Sequence, residues 1–415
     1  METINIITGL DVGTTKIGCL IAEVSSSGEI NIKGVGTAPS EGLRYGMVVD
    51  IEKTVRSIRK AVEAAEAMAG VAVDLVYAGI AGDHIRDING RGVVAISGEN
   101  HEVSADDVRR VIEAARAVAL PMDREMIHIL PQEFIVDQQR GIRDPVGMCG
   151  VRLEAEVHIV TGAVASAQNI YRCIEKAGYT TADLVLESLA SSYSVLTDDA
   201  KEMGVILIDI GGGTSDIAMF YEGCLRLSRV VALGGRNVTN DIAIELRTPI
   251  EAAEKLKLAH GSAIHVDGDK EQLVEVPGMN DRSIRRVSRG LLIDIIQARM
   301  SEILTHTYEE IKNSDYLNLM TTGLVLTGGA SLLPGTVEMA ENIFNMPVKL
   351  GIPRGFTGMV AEAQRPQYAT GVGLIMYAMQ NKDDFEEGFS DNETGVFDNI
   401  VSRFKTFFKK ATQLD

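Results

Sequence analysis

Two glycine-rich hairpins, nearly half of the 415-residue chain apart, constrain this sequence more than any other feature. The one at residues 209–216 stands between two apolar runs and is typical of a strand, a glycine turn and a second strand. Residues 11–16 repeat the arrangement: an apolar strand ends in Asp-x-Gly, hydroxyl residues follow, and another strand begins. One such turn arises often by chance, but a matched pair in matching contexts is much rarer. We therefore expect two similar hairpins that face one another.

Both turns have the chemistry to bind phosphate. Glycine has no Cβ, so the consecutive N–H groups of residues 211–213 could approach an anion closely. Thr214 and Ser215 add hydroxyl groups. Asp11 and Asp209 stand at strand ends, where the two carboxylates could share one hydrated Mg²⁺. For either motif taken alone, an ordinary hairpin turn is the alternative.

The composition limits the partners and the compartment. A net charge of -18 argues against general nucleic-acid binding, because contacts with phosphates need a basic face. The four cysteines are isolated, with no CxxC pair, which fits reduced thiols in a cytosolic protein. The amino terminus lacks the regions of a signal peptide, and no apolar run is long enough to cross a bilayer. Any membrane contact is therefore expected to be peripheral.

Two further motifs accompany the second hairpin. Glu187 is a carboxylate among apolar neighbours, where a predicted strand continues as a helix. We expect it near the terminal phosphate, orienting an attacking water; a surface glutamate at a helix start is the alternative. Residues 324–331 predict a strand and then a glycine turn. The glycines of that turn would let a flat ring lie against the backbone.

Residues 84–160 differ in character from their surroundings. Asn89 and Gly90 predict a turn between strand-like runs. A helix follows, with Ser104 as its N-cap and Asp107 at the capping-box position, and then two more strand-like runs. The pattern indicates a small α+β insertion in the first lobe.

The periodicity of residues 280–313 predicts one long helix. Its inward face would carry Ile284, Val287, Leu291, Ile295 and Met300. Its outer face would carry a basic cluster, unusual on an acidic chain, formed by Arg285, Arg286 and Arg289 with Arg282. An acidic peptide would suit that cluster.

The carboxyl-terminal segment combines an acidic linker with a basic amphipathic stretch. Residues 381–395 are acidic and poor in apolar groups, which is typical of a flexible linker. Beyond them, apolar residues recur at helical spacing, at Phe397, Ile400, Val401, Phe404, Phe407 and Phe408. Basic residues, among them Lys405 and Lys409, occupy the other positions. Such a helix suits the anionic cytoplasmic leaflet, and docking on its own protein core or on a partner is the alternative.

Taken together, five motifs resemble the signature of the actin, sugar-kinase and heat-shock-chaperone superfamily, in order and spacing, over about residues 4–380. They are residues 11–15, Glu187, residues 209–216, residues 326–331 and residues 368–373. Within that superfamily the chain is similar to the FtsA family of bacterial cell-division proteins. The distinguishing features are the insertion after Gly82, the Pro-Gln-Glu-Phe sequence at residues 131–134, and the amphipathic tail.

The resemblance implies an α/β chain with the actin-like two-lobed ATPase fold, a duplicated mixed-sheet core, a family-specific α+β insertion called subdomain 1C, and a carboxyl-terminal amphipathic helix. The boundaries it implies are residues 1–83 and 163–200 for subdomain 1A, 84–162 for subdomain 1C, 201–236 and 314–380 for subdomain 2A with the closing helix, 237–313 for subdomain 2B, 381–395 for the linker and 396–415 for the amphipathic helix.

The resemblance also assigns roles to single residues. Those implied to contact ATP are Gly13, Thr14, Thr15, Gly211, Gly212, Gly213 and Thr214 at the phosphates, and Glu254, Lys257, Gly328, Gly329 and Ala330 at the adenosine. Asp11 and Asp209 would serve Mg²⁺, and Glu187 matches the water-orienting position. Lys16 has no family counterpart as a catalytic lysine, so we expect ATP hydrolysis that is at most weak or linked to assembly.

The implied function is ATP-dependent polymerisation on the cytoplasmic side of the cell membrane at the division site, as a peripheral protein that anchors the FtsZ ring. The expected partners are the carboxyl-terminal peptide of FtsZ at Arg285, Arg286 and Arg289, other copies of the chain in a filament, anionic inner-leaflet lipid and later division proteins, but not nucleic acid. A small-molecule (sugar-type) kinase is one alternative, although no catalytic aspartate stands out for it. A shape-determining or pilus-assembly actin relative is another, although such relatives differ in the insertion or in where they carry the amphipathic helix.

Overall fold

The computed structural model describes residues 5–97, 99–279 and 284–381. The acidic linker and the amphipathic helix, predicted at residues 381–395 and 396–415, lie outside these residues except for Asn381. Across the described ranges, no helix is both long and apolar enough to span a membrane.

The strands are β1 (Asn5–Val12), β2 (Lys16–Val24), β3 (Ile30–Pro39), β4 (Leu43–Arg44), β5 (Met47–Val48), β6 (Leu75–Ile80), β7 (Arg86–Ala95), β8 (Arg124–Val136), β9 (Gln139–Ile142), β10 (Arg152–Ala163), β11 (Thr180–Leu186), β12 (Val205–Ile210), β13 (Ser215–Tyr221), β14 (Cys224–Val231), β15 (Leu273–Pro277), β16 (Ile284–Ser288), β17 (Leu324–Thr327), β18 (Val348–Leu350) and β19 (Thr357–Gly358). The helices are α1 (Ile51–Ala69), α2 (Ala105–Arg116), α3 (Val164–Ala177), α4 (Glu187–Val195), α5 (Asp198–Met203), α6 (Gly235–Glu245), α7 (Ile250–His260), α8 (Arg289–Ile311), α9 (Thr336–Phe344), α10 (Val360–Ala363) and α11 (Ala369–Gln380).

The two large sheets are built on the same plan. In the first, of order β11-β6-β1-β2-β3-β19, the strands β1, β2 and β3 form an antiparallel meander, and β1 also pairs in parallel with β6. In the second, of order β14-β13-β12-β17-β18, the strands β12, β13 and β14 form the same meander, and β12 pairs in parallel with β17. The predicted hairpins are the first turns of these two meanders.

Strand β12 is apolar on both faces because each face packs against a different core. Val205 and Leu207 belong to the core of the first lobe, whereas Ile206, Ile208 and Ile210 belong to the core of the second. Side chains alternate along a strand, so Asp209 lies on the same face as Val205 and Leu207. That face carries Asp209 to α4 and α11, where Ser191 and Thr370 meet it. The alternation thus places a carboxylate between the lobes.

The insertion is a four-stranded sheet of order β7-β10-β8-β9, packed against α2. The predicted turn at Asn89 and Gly90 is wrong, because both residues lie within β7. Gly90 serves close packing instead: a Cβ placed on it would lie 2.4 Å from the carbonyl oxygen of Ala115 on α2. The predicted capping box of Ser104 and Asp107 is confirmed at the start of α2.

The predicted long helix at residues 280–313 is also wrong at its amino-terminal end. Residues 284–288 form β16, which pairs with β15, and α8 begins only at Arg289 with Ser288 as its N-cap. Ile284 and Leu291 are 68% and 47% exposed rather than inward. The buried face of α8 carries Leu292, Ile293, Ile296, Met300, Ile303 and Leu304. The apolar spacing that suggested one helix therefore came from a strand running directly into a helix.

Replacing Asp107 with alanine tests the capping box. Burial alone would raise the pKa of the Asp107 carboxyl, but hydrogen bonds from Ser104, Ser97 and Arg110 hold the pKa well below its usual range. We expect Asp107→Ala to lower the hydrogen-exchange protection of the α2 amides at pH 7 about thirtyfold, equivalent to about 2 kcal/mol. A carboxyl with a depressed folded-state pKa stabilises the fold above its unfolded pKa, which is about 3.9, and loses that contribution as the pH falls. The deficit should therefore narrow below about pH 4.

Asp106→Ala is the matched control, because Asp106 stands on the same turn but is exposed. It should change protection less than about twofold, as is usual for surface substitutions. A deficit for Asp107→Ala that stays constant from pH 7 to pH 3 would contradict the assignment.

Candidate functional site

The turns of the two hairpins touch. A Cβ placed on Gly212 would lie 2.3 Å from Cγ2 of Thr15, and one on Gly213 would lie 2.6 Å from Oγ1 of Thr14. Only glycine permits this approach, because any side chain would force the turns apart. The structure thus brings the two predicted turns into direct contact with each other.

Two carboxylates stand at the base of the turns. Burial raises the pKa of Asp11 to about 6, the neighbouring Lys16 opposes that change and Asp209 adds to it. Burial also raises the pKa of Asp209, and hydrogen bonds from the hydroxyls of Ser191, at 2.7 Å, and Thr370, at 3.4 Å, counteract part of the effect. Both side chains therefore lack a full counter-charge.

Two more carboxyls complete the cluster, and one of them was not predicted. Burial raises the pKa of Glu187 well above its usual value, and the charges of Asp11, Asp216 and Asp209 add to the shift. Burial and the nearby Asp209 raise the pKa of Asp216 to about 8. Thr214 donates a hydrogen bond of 2.9 Å to Oδ2 of Asp216, whereas Oδ1 is buried with no hydrogen-bond partner. In the sequence, Asp209 and Asp216 flank the glycine turn of the second hairpin symmetrically. This placement was the sequence signal that could have identified Asp216.

The cluster fits a hydrated divalent cation. Within the described ranges, no group of three or more His, Cys, Asp or Glu is arranged to hold a metal ion by itself. Mg²⁺ does not need such a cage, because it keeps several waters and uses one or two carboxylates together with phosphate oxygens. The unpartnered oxygen of Asp216 and the raised pKa values of the cluster show that the ionised carboxylates are unfavourable here without a cation.

The residues predicted at the adenosine meet at the start of α6. Lys257 contacts Oε2 of Glu254 at 2.8 Å, the Thr239 hydroxyl at 2.9 Å and the Gly235 carbonyl oxygen at 3.1 Å. A Cβ placed on Gly235 would lie 3.1 Å from Cβ of Ala330. The α7 pair and the turn at residues 328–330 therefore border the same stretch of backbone.

Helix α6 begins directly on the second hairpin. The N–H groups of Gly235 and Arg236 donate to the carbonyl oxygens of Gly211 and Gly212, at 2.9 and 2.8 Å. This link between the phosphate turn and the adenosine residues was not predicted. The Gly234-Gly235 pair before the helix was the signal for it, since a Cβ on Gly234 would lie 2.7 Å from the Gly211 carbonyl oxygen.

The turn at residues 328–330 uses its two glycines differently. Gly328 has φ +86°, and a Cβ on it would lie 2.3 Å from Oδ1 of Asp209, so this turn abuts the carboxylate cluster. A Cβ on Gly329 would meet nothing nearer than Cβ of Gln367, at 3.8 Å. The backbone of Gly329 is therefore open to a ligand.

The predicted partner residues are on the β15–β16 hairpin and the start of α8. Arg285 donates to the carbonyl oxygen of Leu246, and Arg286 pairs with Glu275 at 3.2 Å. Arg289 is ion-paired with the buried Asp269 and donates to the carbonyl oxygen of His260. Arg285 and Arg286 remain exposed, whereas the charge of Arg289 is compensated within the fold.

Two family models match the sequence: Cell division protein FtsA over residues 206–373, and SHS2 domain inserted in FTSA over residues 82–161. The chain is 47% identical over 378 residues to the cell division protein FtsA of Pseudomonas aeruginosa, covering 91% of this chain and 90% of that protein. It is 37% identical over 412 residues to the FtsA of Escherichia coli K12, covering 98% of each. The FtsA of Bacillus subtilis is 39% identical over 381 residues, covering 92% of this chain and 85% of that protein.

Solved structures share the fold at low sequence identity. A PilM–PilN type IV pilus biogenesis complex matches with a TM-score of 0.65 and 15% identity, covering 90% of this chain and 98% of that one. MreB5 of Spiroplasma citri bound to ADP matches with a TM-score of 0.55 and 12% identity, covering 93% and 99%. Its complex with AMPPNP gives 0.56 and 13%, covering 92% and 99%.

These likenesses confirm the predicted actin-like α/β fold with its inserted domain. The sequence identities also distinguish proteins that share only the fold from proteins of the same family. The MreB5 and PilM–PilN structures share the fold at 12–15% identity, whereas the FtsA proteins of Pseudomonas aeruginosa and Escherichia coli share 37–47% of their residues over at least 90% of the chain. On this evidence the chain belongs to the FtsA family of bacterial cell-division proteins.

Proposed function

We propose that this chain binds ATP with Mg²⁺, polymerises on the cytoplasmic face of the membrane at the division site, anchors the FtsZ ring there and helps recruit later division proteins. The observation that supports the nucleotide site is the contact between the two glycine turns beside four interacting carboxyls. Membership of the FtsA family supports the division role. The similar MreB structures, bound to ADP and AMPPNP, support the choice of nucleotide.

In this proposal the two hairpins hold the phosphates from opposite sides. The backbone N–H groups of residues 13–15, 212 and 213 donate to phosphate oxygens, and the glycines let the backbone come within hydrogen-bonding distance. The Gly211 N–H instead closes the turn by donating to the carbonyl oxygen of Thr214 at 2.9 Å. Mg²⁺, held by Asp11 and Asp209 through its waters, would neutralise phosphate charge and offset the charge of the carboxyl cluster. Glu254, Lys257 and the turn at residues 328–330 then hold the adenosine beside α6.

We propose ATP hydrolysis that is slow and linked to assembly, in which Glu187 acts on the attacking water. A carboxyl that takes a proton from the attacking water must be ionised, and burial among carboxylates keeps the pKa of Glu187 well above its usual value. A cation in the cluster would lower that pKa. Proton abstraction by Glu187 therefore depends on a bound cation, whereas orienting the water by a hydrogen bond does not.

Membrane attachment is assigned to the predicted helix at residues 396–415. A single short amphipathic helix binds anionic lipid weakly and reversibly. Copies aligned along a filament share one surface, so the effective concentration of helices at the membrane rises steeply. This is the physical reason for an assembling body to carry such a tail.

The FtsZ peptide is assigned to the exposed arginines of the β15–β16 hairpin. Arg285 and Arg286 are both exposed. Arg285 donates to the carbonyl oxygen of Leu246, and an acidic peptide could displace the exposed pairing between Arg286 and Glu275. Arg289, assigned to the same role from the sequence, contributes less in this proposal because Asp269 already neutralises it.

Gly329→Ala tests the nucleotide site. A methyl group at Gly329 has room in the free protein, since the nearest atom would be 3.8 Å away, so the unfolding temperature without nucleotide should stay unchanged. The methyl would occupy the open backbone face assigned to the adenosine. We expect the affinity for ATP with Mg²⁺, measured by calorimetry, to fall about tenfold or more, as for other lost close contacts. Undetectable ATP binding by the unsubstituted chain would refute the nucleotide proposal.

Vesicle co-sedimentation tests the membrane anchor. The full chain should pellet with anionic vesicles and carry FtsZ with it, whereas residues 1–395 should leave both in the supernatant. Phe404→Gln, on the apolar stripe, should weaken pelleting about tenfold, while Thr406→Gln, off the stripe, should have little effect. Vesicle-dependent pelleting of FtsZ with the truncated chain would argue against the anchor.

Charge reversal of Arg285 and Arg286 tests the peptide surface. We expect Arg285→Glu with Arg286→Glu to weaken binding of the FtsZ carboxyl-terminal peptide at least tenfold by fluorescence anisotropy, because like charges then face one another. ATP affinity should be unchanged. Arg56→Glu with Arg172→Glu, at exposed positions on α1 and α3, is the control with the same change in net charge. Unaltered peptide affinity in the double variant would exclude this surface.

A further inference from the structure

Lys16 bridges the first hairpin and the segment that leads into α11. Its Nζ donates a hydrogen bond of 2.6 Å to the carbonyl oxygen of Gln367 and stands 4.0 Å from the centre of the Tyr368 ring. Gln367 in turn borders the open turn at Gly329. One flexible side chain thus links the phosphate turn of the first lobe to the segment beside the adenosine turn.

The ammonium group is only partly satisfied where it stands. A lysine has three N–H donors, and one carbonyl and one aromatic ring engage it here. In the part of the chain that the structure describes, no carboxylate lies within 4.0 Å of its Nζ. Burial lowers its pKa, while the charges of Asp11 and Asp209 favour the protonated form. A cation with spare donors is therefore held beside the cleft without an ion pair.

A bound nucleotide would add negative charge that the Lys16 ammonium group could offset. A nucleoside triphosphate would bring several negative charges into a cleft that already holds four interacting carboxyls. One divalent ion offsets only part of that charge. Lys16 is the basic side chain that acts on both Asp11 and Asp209. Its long stem begins at the end of the first phosphate turn, within reach of any phosphate held there.

We propose that Lys16 is a two-position cation, which binds Gln367 and Tyr368 when the cleft is empty and binds the terminal phosphate of the nucleotide when the cleft is filled. This inference rests on the nucleotide site proposed above and deepens it. The move releases the segment before α11, the helix whose Thr370 reaches Asp209 between the lobes. Lys16 thereby connects the presence of a terminal phosphate to the packing of the lobes.

The alternative is that Lys16 only stabilises the fold, and this alternative predicts a different result. If Lys16 only tied β2 to Gln367, its loss would affect ATP, ADP and AMP alike, through the fold. If it moves to the terminal phosphate, its loss discriminates among the three nucleotides, because AMP has no phosphate in that position.

The test is Lys16→Met, which keeps the apolar stem and removes the charge. We expect calorimetry to show ATP affinity reduced about 10- to 100-fold, ADP affinity reduced less, and AMP affinity changed by less than about threefold. Lys16→Arg should restore part of the ATP affinity. Lys201→Met is the matched control: Lys201, half-buried like Lys16, lies near Tyr193 and Phe220, at 4.6 and 5.2 Å from their ring centres, and touches none of the site residues.

Tyr368→Leu provides the opposite readout. It removes the ring that holds Lys16 in the empty state, so we expect a lower unfolding temperature without nucleotide and about threefold tighter ATP binding. If Lys16 only stabilised the fold, Tyr368→Leu would lower the unfolding temperature without tightening ATP binding. This variant keeps the test decisive even if Lys16→Met fails to fold.

The outcomes separate the two proposals. If the unsubstituted chain binds ATP and Lys16→Met binds it equally well, or loses ATP and AMP affinity to the same extent, the Lys16 inference is overturned and the nucleotide site stands. If the unsubstituted chain binds no ATP, the nucleotide site itself fails.

Discussion

The rest of this structure depends on two glycine turns that meet over a cluster of buried carboxyls. Burying negative charge without a partner is unfavourable, and the raised pKa values of Asp11, Glu187, Asp209 and Asp216 register that penalty. A fold retains such a cluster only where other interactions offset it. Here the two apolar cores supply the stability, and the cation proposed for the cluster would relieve the repulsion. The cluster is thus an electrostatic imbalance that the proposed cation would offset.

That imbalance reaches the lobe interface through few intermediates. Asp209 is on the face of β12 that packs towards the first lobe, and Ser191 of α4 and Thr370 of α11 both donate to it. The same two helices pack against each other, since a Cβ on Gly373 would lie 1.9 Å from the carbonyl oxygen of Ala190. Charge at Asp209 therefore acts directly on the helices that join the lobes. This is a contiguous physical path rather than a correlation between distant sites.

The sequence predicted what local pattern determines and missed what distant chain segments determine. Both hairpins, the strand-to-helix change at Glu187 and the capping box of α2 follow from short-range spacing. Lys16 and Gln367 are brought together by the fold alone, across most of the chain. Gly90 predicted a turn because the close approach of α2, which uses that glycine, is invisible in local sequence. The strand at residues 284–288 resembled a helix because its alternation is too short to separate from helical periodicity.

The inserted domain at residues 84–162 is also linked to both lobes. It contacts β14, the edge strand of the second large sheet, through polar groups: His158 bonds the Ser228 hydroxyl at 3.0 Å, Gln132 donates to the Leu225 carbonyl oxygen at 2.9 Å, and Asp87 pairs with Arg229. Burial lowers the pKa of His158 to about 4, so the ring is neutral at physiological pH and its hydrogen bond to Ser228 does not depend on pH there.

The insertion also continues from β6 and returns into α3 of the first lobe. Because it is covalently part of one lobe and hydrogen-bonded to the other, a change in the angle between the lobes must either break these bonds or turn the insertion. If nucleotide binding changes the angle between the lobes, the position of the insertion would therefore change as well.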